Sequence, residues 1–108
     1  MAESYRPPAA VARAARRALD IRASLPPSRR AGTPVGVRRA AQLAARQQVS
    51  LDTIKRMVSF FARHGKSPGS AEARRDRTSK AAQAWGLWGG NAGRSWARRI
   101  LRQQEPQR

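Results

Sequence analysis

An all-α fold, a compact bundle of four or five short helices, is what this sequence predicts. Three observations lead there. Apolar residues recur three and four positions apart in several stretches, the spacing that puts them on one helix face. Clusters of proline and glycine separate those stretches at intervals that suit short helices. No stretch alternates apolar and polar residues between turn signals, as a half-buried strand does. The 108 residues suffice for one domain, and no internal repeat at solenoid spacing divides them.

Residues 1–7 read as a flexible N-terminal tail. Pro8 suits a first helical position, where its missing N–H costs nothing, and it opens a helix over about 8–24. Val11, Ala15, Ala18 and Leu19 form a weak, alanine-rich stripe, with Arg13, Arg16 and Arg17 on the other sides. Residues 26–33 are a loop broken by Pro26, Pro27 and Gly32. Thr33 before Pro34 is a strong start, a hydroxyl cap followed by proline. The second helix spans about 34–46 and faces inward through Val37, Ala40, Ala41 and Ala44, with Leu43 beside them.

A short link follows, and Ser50 caps a third helix over about 50–64, with Asp52 near its positive end. Ile54, Met57, Val58 and Phe61 are its inward face. His64 suits the negative helix end and Gly65 is placed to stop it. Residues 66–77 form a basic linker, part of which can be helical. Thr78 or Ser79 caps a fourth helix over about 79–88, with Trp85 and Trp88, and Gly89 and Gly90 end it. Asn91 caps a fifth over about 91–103, where Trp96 and Ile100 stand four apart. One helical domain thus covers 8–103, and 104–108 frays.

The chain holds 23 Lys and Arg against 6 Asp and Glu, a formal net charge of +17. That excess repels itself in any compact state, and a polyanion relieves it. Neutralising phosphates releases counterions, so binding to nucleic acid is favourable and falls steeply with salt. Twenty of the cations are arginine, the better bidentate partner of phosphate and guanine. Compositional bias in the coding sequence is a competing reason for choosing arginine, but it leaves the field in place. The absence of cysteine excludes disulfides and thiolate chemistry. One histidine and six scattered acids argue against a metal site, and no cofactor motif is present. No nucleophile, base and stabiliser converge, so the expectation is a protein that is not an enzyme. No apolar run is long enough to span a membrane, and the N-terminus lacks the apolar core of a secretory signal.

The stretch Leu43-Ala44-Ala45-Arg46-Gln47-Gln48-Val49-Ser50-Leu51-Asp52-Thr53-Ile54-Lys55-Arg56 carries the functional expectation. Ala44 is small enough to lie under a crossing helix. Val49 can turn inward and pin the angle. Ser50 and Ile54 supply a cap and an inward aliphatic. Over residues 40–58 this resembles the helix-turn-helix of repressor-like DNA-binding proteins, with Ala44, Val49, Ser50, Thr53, Ile54 and Arg56 at matching positions. Gln48 stands where that family usually has glycine. The resemblance implies that Leu51, Asp52, Lys55 and Arg56 meet base edges, with Arg56 bonding guanine and Leu51 touching a thymine methyl. Arg38, Arg39, Arg46, Thr53 and Arg63 would contact phosphates, as would Arg74, Arg75 and Arg77 of the linker. An ordinary solvated face is the plain alternative for Lys55, Arg56, Ser59 and Arg63. Whether the chain pairs as a homodimer stays open.

Residues 50–64, with paired Phe60 and Phe61 before Arg63-His64, and 79–99, with Trp88-Gly89-Gly90-Asn91, resemble small modules of tailed-bacteriophage proteins. That resemblance implies a viral origin, in the host cytoplasm or the virion interior. It also supports an alternative: a virion-associated or host-interaction protein that binds a protein partner, such as an acidic nucleic-acid-processing enzyme, through an exposed apolar patch with Trp88 or Leu87. Aromatic residues are expected chiefly to fill a core that alanine cannot. Trp88, nearest the glycine turn, is the candidate for stacking on a base or entering a partner's groove. Gly89 to Gly93 lacks the Lys-Ser/Thr ending of a phosphate loop and reads as a tight turn.

Overall fold

Local chemistry starts most of the helices seen in the computed structural model, which describes residues 3–66 and 69–104. Helix α1 spans Ala9–Ser24, with Pro8 as its cap residue rather than its first turn. Helix α2 spans Pro34–Ala44, where the Thr33 hydroxyl accepts from Gly36 N–H at 3.0 Å. Helix α3 spans Leu51–Lys66, and Ser50 Oγ accepts from Thr53 N–H at 3.2 Å. It runs through Gly65 rather than stopping there. A single turn, α4, occupies Ser70–Ala73 inside the basic linker. Helix α5 spans Lys80–Leu87, capped by Ser79 through Ala82 N–H at 3.0 Å. Helix α6 spans Gly90–Gln103, entered through Gly89 rather than Asn91. A 3₁₀ turn at Pro27–Arg29 lies in the loop after α1.

The result is an all-α bundle of short helices with one minimal strand pair. Strand β1, Ser4–Tyr5, runs antiparallel to β2, Val49–Ser50, with Tyr5 opposite Val49. Two residues are too few to show an alternating pattern, so the sequence carries no signal for this ladder. Residues 4–7 are therefore docked, not a loose tail. Pro7 is fully buried, and its carbonyl accepts from Arg46 Nε at 2.8 Å.

Helix α1 lies at the centre, packed on α2, α5 and α6, while α3 packs mainly on α6. Its buried face is Val11, Ala12, Ala15 and Ala18. Leu43, Ile54, Met57, Phe61 and Leu87 are the large side chains wholly enclosed. On α2 the inward residues are Gly36, Ala40 and Leu43, and Ala41 faces out. This differs from the expected stripe because burying a leucine removes far more apolar surface than burying an alanine. Trp85 meets Phe61 edge-on at 4.7 Å, and Trp96 enters the core from α6.

The turn from α5 to α6 needs its glycines. Gly89 has φ +104°, and a Cβ there would lie 2.9 Å from both Gly93 Cα and Val11 Cγ1. One buried polar side chain ties the loops to this frame. Gln83 Oε1 accepts from Ala31 N–H at 2.8 Å, and its Nε2 donates to the carbonyls of Arg29 at 3.0 Å and Thr78 at 2.9 Å. Replacing Gln83 by alanine strands three backbone groups at once. Leaving such groups unpaired costs about 1–3 kcal/mol apiece where water stays out. We expect Gln83→Ala to lower the unfolding free energy by about 2–4 kcal/mol, read from urea denaturation followed by circular dichroism. A loss under about 1 kcal/mol would show that solvent replaces the amide.

Candidate nucleic-acid interface

Helix α3 presents two unlike faces. Ile54, Met57, Phe60 and Phe61 are buried, and Asp52, Lys55, Arg56, Ser59, Ala62, Arg63 and Lys66 are exposed. At 1.5 Å per residue its sixteen residues make a ridge about 24 Å long. One flank meets α6, where Val58, Arg98, Leu101 and Arg102 line a shallow depression. The other flank faces α2 across Trp88, which stacks on Phe60 and lies near Arg39. There the positive charges of Arg38 and Arg56 both act on Arg39. Burial is the first cause, and those two arginines the second, that hold the Arg39 guanidinium below its ordinary pKa. Arg39 Nε is enclosed without a hydrogen-bond partner among the described residues.

Aromatic side chains build the floor beside these arginines. The Arg39 guanidinium lies 5.7 Å from the Trp88 ring centre. Trp88 stacks on Phe60 at 4.9 Å and 14°, and Phe60 stacks on His64 at 4.1 Å. Gly36 lets α2 come this close, since a Cβ there would already touch Trp88 Nε1 at 3.4 Å. His64 also sets Nδ1 2.9 Å from the Phe60 carbonyl, at the helix end where its ring suits the dipole. Trp88 is half-buried between Phe60 and α2, so its ring is committed to packing rather than held out for a base.

The expected contact residues separate into groups. Arg39 and Arg56 stand close enough for their charges to act on each other, while Lys55 and Arg63 are exposed on α3 and Arg38 on α2. Asp52 pairs with Arg56 at 3.5 Å one helical turn away, both well exposed, an interaction worth little by itself. Leu51 is half-buried against the core and is not a projecting side chain. Thr53 Oγ1 sits 3.3 Å from Ser50 Oγ within the cap. Arg46 serves the fold instead, adopting φ +55° just past the end of α2 and holding Pro7 through its Nε. Arg74, Arg75 and Arg77 belong elsewhere. Arg74 lies 3.8 Å over the Trp85 ring, and both Arg74 and Arg77 line a groove with α1.

The link between α2 and α3 differs from a repressor turn. Arg46 takes the left-handed conformation, two residues before Gln48, where the resemblance puts it. Arg46 N–H bonds the Leu43 carbonyl and Gln47 N–H the Gln42 carbonyl, closing α2 in a Schellman motif. The chain then runs extended into β2. Sequence reasoning also passed over Arg98 and Arg102, although their four-residue spacing opposite Trp96 and Ile100 marks an exposed basic edge. Comparison with family models, with curated proteins and with solved structures returned no match.

In the turn after α4, Asp76 Oδ1 accepts from both Thr78 N–H at 2.9 Å and Thr78 Oγ at 2.8 Å. The backbone bond first, then the hydroxyl, holds this carboxyl below its ordinary pKa. A carboxyl depressed on folding stabilises the fold above its unfolded pKa, and the effect fades as pH falls through the folded value. Unfolding free energy followed from neutral to acid pH should therefore drop less for Asp76→Asn than for the parent chain. Equal acid sensitivity would remove Asp76 from the account.

Charge makes a second prediction. Without any ligand, raising NaCl from about 0.01 M to about 0.1 M shortens screening from ~30 Å to ~10 Å and should raise the melting temperature. A melting temperature that falls or stays constant would mean that the arginines do not repel one another across the fold.

Proposed function

We propose that the protein binds double-stranded DNA through the exposed face of α3, flanked by Arg38 and Arg39 of α2 and by Arg98 and Arg102 of α6. The observation that carries this reading is the exposed basic face of α3, with Lys55, Arg56 and Arg63 on it and Arg39 of α2 near enough to Arg56 for their charges to repel. Like charges brought together stay unfavourable until a polyanion neutralises them. Phosphate contacts by these side chains would fix the helix on the duplex. Lys55 and Arg56, near the start of α3, are the side chains with reach to base edges. Small phage-type proteins of this composition suit a genome-binding role, in the host cytoplasm or the virion.

The protein-partner alternative called for an exposed apolar patch. Leu87 is fully buried, and Val35 is the one exposed large hydrophobic among the described residues. No specific observation therefore favours that alternative.

Salt-titrated binding to duplex DNA, single-stranded DNA and RNA tests the proposal. Affinity for duplex should fall by about 0.9 log unit per log unit of salt for every phosphate engaged. Arg39→Ala and Arg63→Ala should weaken binding to all duplexes alike and each reduce that slope by about one unit. Arg56→Ala should in addition flatten any preference among sequences, a discrimination worth about 1–3 kcal/mol at one base pair. A chain that binds duplex no better than a neutral protein in low salt would end this reading, and tighter binding to RNA would reassign the substrate.

A further inference from the structure

Apart from the α3 face, a groove of about 520 Å³ runs between α1 and the α5–α6 corner. Arg13 and Arg17 stand on its α1 wall, and Arg74 and Arg77 on the wall opposite. No carboxylate lines it among the described residues, and its lining shares no residue with the α3 face. Its floor is made of small residues, Ala14, Ala18, Ala82, Gly86 and Gly90 among them. They leave backbone and shallow space where longer side chains would fill the groove. A cleft walled by one sign of charge in a low-dielectric frame focuses the field along its length.

The arginines are prepared for an anion. Arg74 sets its guanidinium carbon 3.8 Å from the centre of the Trp85 ring, a cation–π contact that restrains the side chain at the groove. Trp85 is held in turn, its Nε1 donating to Asn91 Oδ1 at 2.9 Å. With that oxygen taken, the Asn91 amide is left with N–H groups to offer the groove, which Asn91 also lines. The Asp76–Thr78 bonds shape the turn that carries Arg77. The side chains of Arg13, Arg17 and Arg77 make no hydrogen bond or ion pair with another described residue.

We propose that this groove is a second nucleic-acid site, one that takes the sugar–phosphate backbone of a single strand. At about 520 Å³ the groove has room for a short stretch of a single strand and not for a duplex. A lone strand can lay its phosphates among Arg13, Arg17, Arg74 and Arg77, which line it. The site reads charge and shape, not bases, so it is indifferent to sequence. Together with the α3 face it lets one molecule hold duplex and displaced strand at once.

The test uses the full chain and a labelled oligothymidylate of about eight nucleotides, within the site size of single-strand grooves. Arg13→Ala with Arg17→Ala, and separately Arg74→Ala with Arg77→Ala, should each lower its affinity about tenfold or more, the scale of lost charge-assisted bonds. Arg6→Ala with Arg16→Ala removes equal charge outside the groove and should change affinity by about threefold or less, the effect of diffuse attraction alone. Ala10→Trp keeps the charge and obstructs the groove from the exposed start of α1. It should impair oligothymidylate binding while leaving both the circular dichroism and duplex binding as in the parent. Equal losses from the groove pairs and the control pair, or an Ala10→Trp chain that binds the oligonucleotide normally, would overturn the groove. So would failure of oligothymidylate to bind at low salt while duplex still binds, a result that leaves the α3 face standing. Inorganic pyrophosphate separates the remaining source of the chemistry: full competition at low concentration would make the groove a small-phosphate site and overturn the strand.

Discussion

The bundle depends on how closely its alanine-faced central helix can be approached. Alanine offers little surface, so α1 contributes to the core only if its neighbours come nearly to backbone contact. They do so at glycine. A Cβ on Gly86 would lie 2.7 Å from Ala18 Cβ, and one on Gly89 would lie 2.9 Å from Val11. The same constraint builds the surface. With alanines turned inward, the arginines between them must point out, and the small residues of α5 and α6 leave a groove beside them. Core and basic groove are thus two sides of one choice of residues on α1.

Helix positions were legible because their signals are local. Thr33-Pro34, Ser50 and Ser79 each act through a hydroxyl and an amide three residues on, and the structure uses all three. What the sequence hid was long-range. The β1–β2 ladder joins residues more than forty positions apart, and neither partner is long enough to show a period. Gln83 looks like any helix-surface glutamine until the 29–31 loop and Thr78 arrive around it. Gly65 reads as a stop, but Trp85 packs beside it, with 3.5 Å to an added Cβ, and the helix continues. Tertiary packing overrides a terminal signal there.

The site shows the same division. Composition carries the charge, and helical spacing marks the exposed face of α3. Neither says which arginines meet across helices. Arg39 lies over Trp88, and Trp88 stacks on Phe60, so an aromatic pair joins an arginine of α2 to the α3 face. Leu51 faces outward on a single helical wheel, but the body of the bundle reaches it. Arg13 and Arg17 carry no sequence signal for the groove because their partners, Arg74 and Arg77, lie some sixty residues away on a segment that reads as linker.

Arginine has two kinds of role here, and the distinction bears on what the free ones are for. Arg30 donates to the carbonyls of Arg22, Ala23 and Leu25, and Arg22 to that of Ala31. The Arg30 guanidinium satisfies the end of α1, where positive charge also suits the helix dipole, and Arg22 ties the following loop to the helix. Arg46 does likewise for Pro7. A protein that needed arginine only for its fold would need few beyond these. Others stand on the exposed face of α3 and along the groove, and with six acids in the chain there is little to offset their charge. On the proposed reading an external polyanion lowers the free energy of this arrangement, and binding and folding are linked, since every phosphate engaged removes a repulsion that the unliganded bundle carries.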